Sequence, residues 1–293
     1  MFACSGVPDR SASNMSGVPE TKKEHKELRA AIKKIESFFQ PMGKPEAYDW
    51  LGSQNEPGQT FDEYLASNPS KPEKNRDVIY ILPLGTFSSE QRKLIQTTSE
   101  FLEAFYDLPV KHMRSRSLAA GQSNSRKNRY TNKRQFKTGP ILEDILAPTL
   151  PKDAAALIAL TREDLYSDDS TNYVFGQASF DKGVGVWSLD RLDDNTSSGN
   201  YLLRTLKIAA HEAGHMFSLR HCTKYECLMS GTNHLGETDR RPLDACPECT
   251  AKICWVSNIS FADRYKRLAK FAQGIGQSEI AREFERKRNA VAK

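Results

Sequence analysis

A mixed β-sheet packed against helices, of α+β or α/β type, is what this sequence predicts, and three observations carry it. Two apolar runs, DVIYILPLGTF at 77–87 and ALIALT at 156–161, are nearly continuous, the pattern of strands buried on both faces. A helical pattern separates them. Beyond the second run, YVFGQASFDKGVGVWSL at 173–189 reads as two strands joined by a turn at Asp181, Lys182 and Gly183, and a long apolar helix follows.

Taken in order, residues 1–22 mix Ser, Pro, Gly and charge and read as a disordered tail, because nothing there offers an apolar face. Residues 23–75 form an extension of helix and loop. Leu28, Ile32, Ile35 and Phe38 or Phe39 fall at helical spacing, and a stretch rich in Pro, Gly and Asn follows. The main domain spans 76–275. Its first strand ends near Pro83, and the next helix opens on serine caps and a glutamate, with Leu94, Ile95, Phe101, Leu102 and Phe105 as its apolar positions. Residues 140–147 suggest a short helix. The long helix runs from about Tyr201 to Leu219 on Leu202, Leu203, Leu206, Ile208, Ala209 and Ala210. SFADRYKRLAKFAQ gives another amphipathic helix, and 276–293 a charged helix or tail. The segment Lys111–Lys137, rich in Arg, Lys, Ser and Asn, reads as a solvated mobile loop, with acidic-substrate or nucleic-acid contact as its sharper alternative.

Composition narrows the function. In 293 residues, 38% hydrophobic and 27% charged, no apolar run reaches the length of a membrane span, so a membrane protein is not expected. The first two dozen residues lack the apolar centre of a secretory signal, which points to an intracellular, cytoplasmic protein. Lys and Arg exceed Asp and Glu by 42 to 37, too small an excess to indicate nucleic acid. Five of the six cysteines lie between 222 and 254, and such clustering in a reducing compartment favours metal over disulfides.

The chemistry concentrates in HEAGHMFSLRHC, 211–222. His211 and His215, four apart on a helix, project from one face as two zinc ligands. Glu212 is turned too far round the helix to ligate, yet is close enough to take a proton from a zinc-activated water as general base. A catalytic zinc keeps three protein ligands, and His221 is where a helix breaking just beyond His215 would return the third. His234 is the other nearby imidazole, in a polar loop with no defining spacing. Cys222 and Cys227, then Cys246 and Cys249 of CPEC, make two thiolate pairs separated by a polar loop, the pattern of a closed structural zinc site. Cys254 reads as a small buried residue beside Trp255, and Met229 as an apolar floor beneath the imidazoles.

These residues resemble the archaemetzincins, a family of metzincin-type zinc peptidases: HEAGHMFSLRHC with Glu212 as base, Cys222 directly after the third histidine, then Cys227, Met229 and CPEC. The resemblance covers about 75–275. It implies an α+β, metzincin-like zincin domain, a twisted mixed sheet packed on an active-site helix, with two zinc ions per chain. One is catalytic, on His211, His215 and His221, and one structural, on Cys222, Cys227, Cys246 and Cys249. Met229 becomes the Met-turn support, and the strands at 174–179 and 184–189 become candidates to pair with an extended peptide or protein substrate.

One departure stands out. Metzincins place glycine three residues after the second histidine, where the helix ends in a left-handed turn, and this chain has Ser218 at a cost of about 1 kcal/mol. The reading is a zinc metallopeptidase hydrolysing peptide bonds. Its rival is a zinc-stabilised binding module that lost turnover because Ser218 misplaces His221. A nucleic-acid-binding zinc protein is third, and leaves Glu212 and both helical histidines unexplained.

Overall fold

In the computed structural model, residues 22–118, 124–179, 182–193 and 198–293 are described. Residues 1–21, where the sequence suggests a disordered tail, lie outside them. So does part of the turn at 181–183.

The central sheet has five strands in the order β2-β1-β5-β8-β7: β1 Val78–Leu84, β2 Val110–His112, β5 Ala154–Thr161, β7 Gly176–Ser179 and β8 Val184–Ser188. The first four run parallel, and β7 closes the sheet antiparallel to β8. The continuous apolar runs now have a cause: both faces are covered. Ile79, Ile81, Ala156, Ile158, Leu160 and Trp187 face the larger core. Their alternates Leu82, Leu84, Leu157, Ala159, Val184 and Val186 face a second, smaller one. Pro83 lies within β1, paired with Leu160 in the ladder.

A second sheet, β3-β4-β6, covers that smaller core. It consists of β3 Ser125–Lys127, β4 Arg134–Lys137 and β6 Asp164–Tyr166. The basic segment expected as a solvated loop therefore supplies β2, β3 and β4. Its strands are hard to see in sequence because their outward residues are all polar, and only Gln135 and Phe136 of β4 are buried. The single turn α5 Thr138–Pro140 leads from β4 into a wide helical stretch, Ile141–Leu146, whose Ile141, Leu142 and Leu146 fill the same core.

The larger core is built by helices. α4 Ser89–Tyr106 opens on Ser88, whose side chain caps the Gln91 amide in a reciprocal capping box. The expected glutamate, Glu90, lies in the first turn, where Ser88 Oγ donates to its carboxylate at 2.8 Å. α6 Ser198–Met216 lies against α4 and the strands β7 and β8. Downstream come α7 Leu235–Arg240, α8 Pro247–Ser257, α9 Phe261–Gly274 and α10 Ser278–Ala292. α8 has no counterpart in the sequence reading, although Pro247 directly after the N-cap Cys246 is a recognised start signal. The charged segment from 276 is a helix packed on α9, not a free tail. Its Lys287 and Arg264 of α9 both pair with buried Asp244, at 2.9 and 3.1 Å.

The 23–75 region joins this core. It carries α1 Lys22–Ile35, α2 Trp50–Ser53 and α3 Phe61–Ala66, and Ile32, Ile35, Phe39, Trp50, Phe61 and Tyr64 belong to the larger core, with α1 against α8 and α10 and α3 against α8. The segment from the end of α1 through α3 is tied to the chain beyond α6. Met42 N–H donates to Lys224 O at 2.9 Å, Glu226 N–H to Gln40 O at 2.9 Å, and Tyr64 Oη–H to Phe217 O at 2.7 Å. No helix among the described residues is long and apolar enough to cross a membrane.

Candidate metal centres

α6 presents His211 and His215 on one face, as their spacing requires, with ring centroids 4.6 Å apart. The helix then stops in a Schellman motif. Ser218 N–H donates to His215 O at 2.9 Å and Leu219 N–H to Gly214 O at 3.0 Å, with Ser218 left-handed at φ +65°. Ser218 thus occupies the conformation expected of glycine. Its side chain has a partner, because Oγ accepts the Ser70 amide at 3.0 Å.

The turn has two consequences. It brings Leu219 O to 2.7 Å from His215 Nδ1, and it redirects the chain so that His221 arrives with its ring 4.9 Å from His215 and 5.2 Å from His211. The three imidazoles can each offer one nitrogen such that all three lie within 4.8 Å of one another, and all three are buried.

This arrangement fits a metal ion on grounds of charge. His211 Nδ1 faces Leu228 O at 2.9 Å, so with both Nδ1–H groups donating to carbonyls the Nε2 atoms carry lone pairs, and those of His211 and His215 lie 2.9 Å apart. Protonation cannot relieve the clash. Burial, then the neighbouring histidines, hold the His211 pKa well below its usual range, and burial followed by His221 holds His215 down at about 3. Neutral imidazoles converging on lone pairs are the donor set of zinc.

Glu212, beside the first histidine, is 1% exposed, and its Oε1 has no hydrogen-bond partner among the described residues. Burial pushes its carboxyl up to about 8 in the absence of a cation. Gly176, the first residue of β7, lets it sit there: a Cβ would stand 3.0 Å from Oε1 and 2.9 Å from Trp187 Cβ. The carboxylate therefore lies under the start of the sheet's antiparallel edge strand. β8 is interior, which leaves β7 as the strand of that hairpin with an outer edge.

Cys222, Cys227, Cys246 and Cys249 form the second group, all buried and unoxidised, with sulfurs within 4.8 Å of one another. Cys222 and Cys246 Sγ are 3.6 Å apart, close to the roughly 3.8 Å that a tetrahedral zinc–sulfur site implies. Backbone amides of Cys246 and Met229 donate to Cys227 Sγ at 3.1 and 3.4 Å. Hydrogen bonds with the other three thiols hold the Cys222 pKa well below its usual range. Cys254 lies outside the group, and burial raises its thiol to about 12.

Met229 packs under the helix, where its Sδ and Cε would stand 2.6 and 2.8 Å from a Cβ at Gly214. Its carbonyl accepts the Cys222 amide at 2.8 Å, which links the two groups through the backbone. His234 stands apart from the imidazoles as the N-cap of α7, accepting the Glu237 amide. It lies near Asp49 and Glu237, whose carboxylates are already engaged by Arg240 and Arg241. Three residues at the histidine centre escaped the sequence reading: Glu56, whose carboxylate meets His221 Nδ1, Trp50, whose ring stands edge-on to His221, and Gly176. Only Gly176 left a signal, as an isolated glycine in a strand pattern.

Fold and site define the class: the chain is a zinc-dependent metallopeptidase, a hydrolase acting on peptide or protein substrates. A family model described as Peptidase family M54 matches residues 150–254. The chain belongs to the archaemetzincin family. It is 33% identical over 283 residues to archaemetzincin-2 of Rattus norvegicus, covering 85% of this chain and 79% of that one. Two solved archaemetzincins share the fold. That of Methanopyrus kandleri is 25% identical with a TM-score of 0.53, covering 64% of this chain and 98% of the other. That of Archaeoglobus fulgidus is 27% identical with a TM-score of 0.50, covering 60% and 99%.

Proposed function

We propose that this metallopeptidase works through a metzincin-like centre in which His211, His215 and His221 hold a catalytic zinc and Glu212 is the general base. Cys222, Cys227, Cys246 and Cys249 hold a second, structural zinc, giving two per chain, and Met229 supports the helix that carries the first. The observation that carries this reading is the convergence of three buried imidazoles beside a buried carboxylate whose Oε1 has no partner among the described residues.

Zinc bound there supplies Lewis acidity and a lowered pKa for water. Glu212 takes the proton of the attacking water at its carboxylate and passes it to the nitrogen of the departing amine. With a cation held by the three histidines, Glu212 would be drawn down from the raised value that burial alone gives it and would begin ionised. The outer edge of β7 offers backbone groups to an extended peptide, which supplies affinity with little dependence on sequence. Cysteines clustered to hold metal suit a reducing compartment, which supports an intracellular, cytoplasmic location.

The rival reading, a binding module without turnover, depended on Ser218 misplacing His221. Ser218 closes the helix with both Schellman bonds and His221 reaches its neighbours, which supports the catalytic reading over it. A nucleic-acid role for the basic segment fares no better. Arg126 of that segment is turned inward to the Thr171 and Asn172 carbonyls, and Lys133 pairs with Asp190.

The test is Glu212→Gln assayed on a mixed peptide library, with metal content measured alongside. Hydrolysis should fall by about 10² to 10⁴ while both zinc ions stay bound. Turnover equal to the parent's would remove Glu212 from the mechanism.

A further inference from the structure

The three imidazoles are each engaged at Nδ1, but not by the same kind of partner. His211 and His215 face peptide carbonyls, Leu228 O and Leu219 O, both within the chain that follows the helix. His221 faces a carboxylate: Glu56 Oε1 and Oε2 lie 3.0 and 2.9 Å from its Nδ1, and the two residues are 165 apart in sequence. No substitution can delete a peptide carbonyl, whereas one can delete Glu56. The third ligand is thus the one whose orientation depends on a side chain from the N-terminal region.

Resting on the reading of His211, His215 and His221 as one zinc centre, we propose that Glu56 is the positioning residue that makes His221 a competent ligand. The carboxylate keeps the His221 proton on Nδ1, which leaves the Nε2 lone pair for the metal. It also fixes the ring plane, together with Trp50, whose ring stands edge-on at 5.1 Å between centroids. Its negative charge makes the imidazole a stronger donor than a carbonyl partner would.

Glu56 can hold this position because its own segment is held. Gln59 Oε1 accepts the Arg220 amide at 3.2 Å, and Ser70 N–H reaches Ser218 Oγ. Gly58, left-handed at φ +72°, lies so close to the Thr223 side chain that no Cβ would fit. Residues 56–70 therefore grip the stretch from Phe217 to Thr223 on both sides of His221, and Glu56 is the part of that grip that touches a ligand. Such a partner decides how tightly metal binds without touching the substrate.

The experiment uses the full chain loaded with zinc, titrated with a chromogenic chelator, for the parent and for Glu56→Ala, Glu56→Gln, His221→Ala and His211→Ala. The His211→Ala protein identifies which of the two zinc ions belongs to the histidines. Glu56→Ala should weaken that ion by about ten- to a hundredfold and leave the cysteine-bound ion unchanged. Glu56→Gln, which keeps an acceptor but not the charge, should fall between. The metal-free melting temperature should be alike in the parent and both Glu56 variants. If His221→Ala loses the ion while Glu56→Ala keeps it within about twofold, the positioning role is overturned and the three-histidine centre survives. If His221→Ala also keeps it, the three-histidine reading itself has failed. Equal loss of metal-free stability in both Glu56 variants, with metal affinity intact, would make Glu56 a packing residue and overturn the proposal.

Discussion

The histidine and cysteine groups meet at consecutive residues, His221 and Cys222, yet they are assembled in opposite ways. All four thiols come from 222–249, their local hydrogen bonds come from amides of the same stretch, and four donors saturate a tetrahedral ion. The histidine group has three donors and draws its supports from across the chain: Leu228 beyond it, Gly176 in the sheet and Glu56 before it. A site that must leave one position open cannot rely on its ligands alone for rigidity. It relies on neighbours.

Removing one member from each group should break this contrast most clearly. On the proposed assignment Cys246→Ser takes a ligand from a closed site whose metal energy is folding energy, and should lower stability by about 4 kcal/mol, or roughly 10 °C in melting temperature by calorimetry. A variant that keeps two zinc ions and its melting temperature would show that the cysteines do not hold metal. His215→Ala should behave differently. Hydrolysis should fall by about a thousandfold with the loss of one zinc, equivalent to several kcal/mol of barrier. In zinc-free buffer, thermal denaturation should find it no less stable than the parent, because the substitution removes a lone-pair clash across 2.9 Å. Lower stability there would mean that the imidazoles do not repel and that the centre needs no cation.

What could be read in advance divides along the same line. His211, Glu212 and His215 were legible because one helical turn fixes their geometry, and the cysteines because metal sites repeat short spacings. Glu56 was not, because it sits in a loop with no period and meets its partner 165 residues away. The strands β3 and β4 were hidden for a related reason: Lys127 and Arg134 point outward in a polar run, and the residues that turn in, Arg126, Gln135 and Phe136, are mostly polar themselves. Local periodicity reports which face of an element is apolar. It reports neither what lies opposite nor where a solitary carboxylate will land.

A smaller effect concerns the floor of the histidine centre. Gly214→Ala would gain helix propensity on an exposed surface, but here the new methyl meets Met229 Sδ at 2.6 Å and Tyr106 Oη at 3.2 Å in a fully buried site. The outcome should be a loss of about 1 to 2 kcal/mol by denaturant unfolding, with weaker zinc at the histidines and unchanged zinc at the cysteines. An unchanged midpoint would show that Met229 can move aside and does not support the helix.

The smallest effect is at Ser218, and it separates two contributions of nearly equal size. A non-glycine residue at φ +65° costs about 1 kcal/mol, while the bond from Ser70 N–H to Ser218 Oγ returns about the same. Ser218→Gly removes both and should leave stability nearly unchanged. Ser218→Ala keeps the strain and loses the acceptor, so it should be less stable than the parent by about 1 kcal/mol in the same unfolding experiment. Should glycine instead stabilise the chain and alanine leave it unchanged, the Ser70 bond contributes nothing. The N-terminal segment would then hold the turn through Tyr64, Gln59 and Glu56 alone.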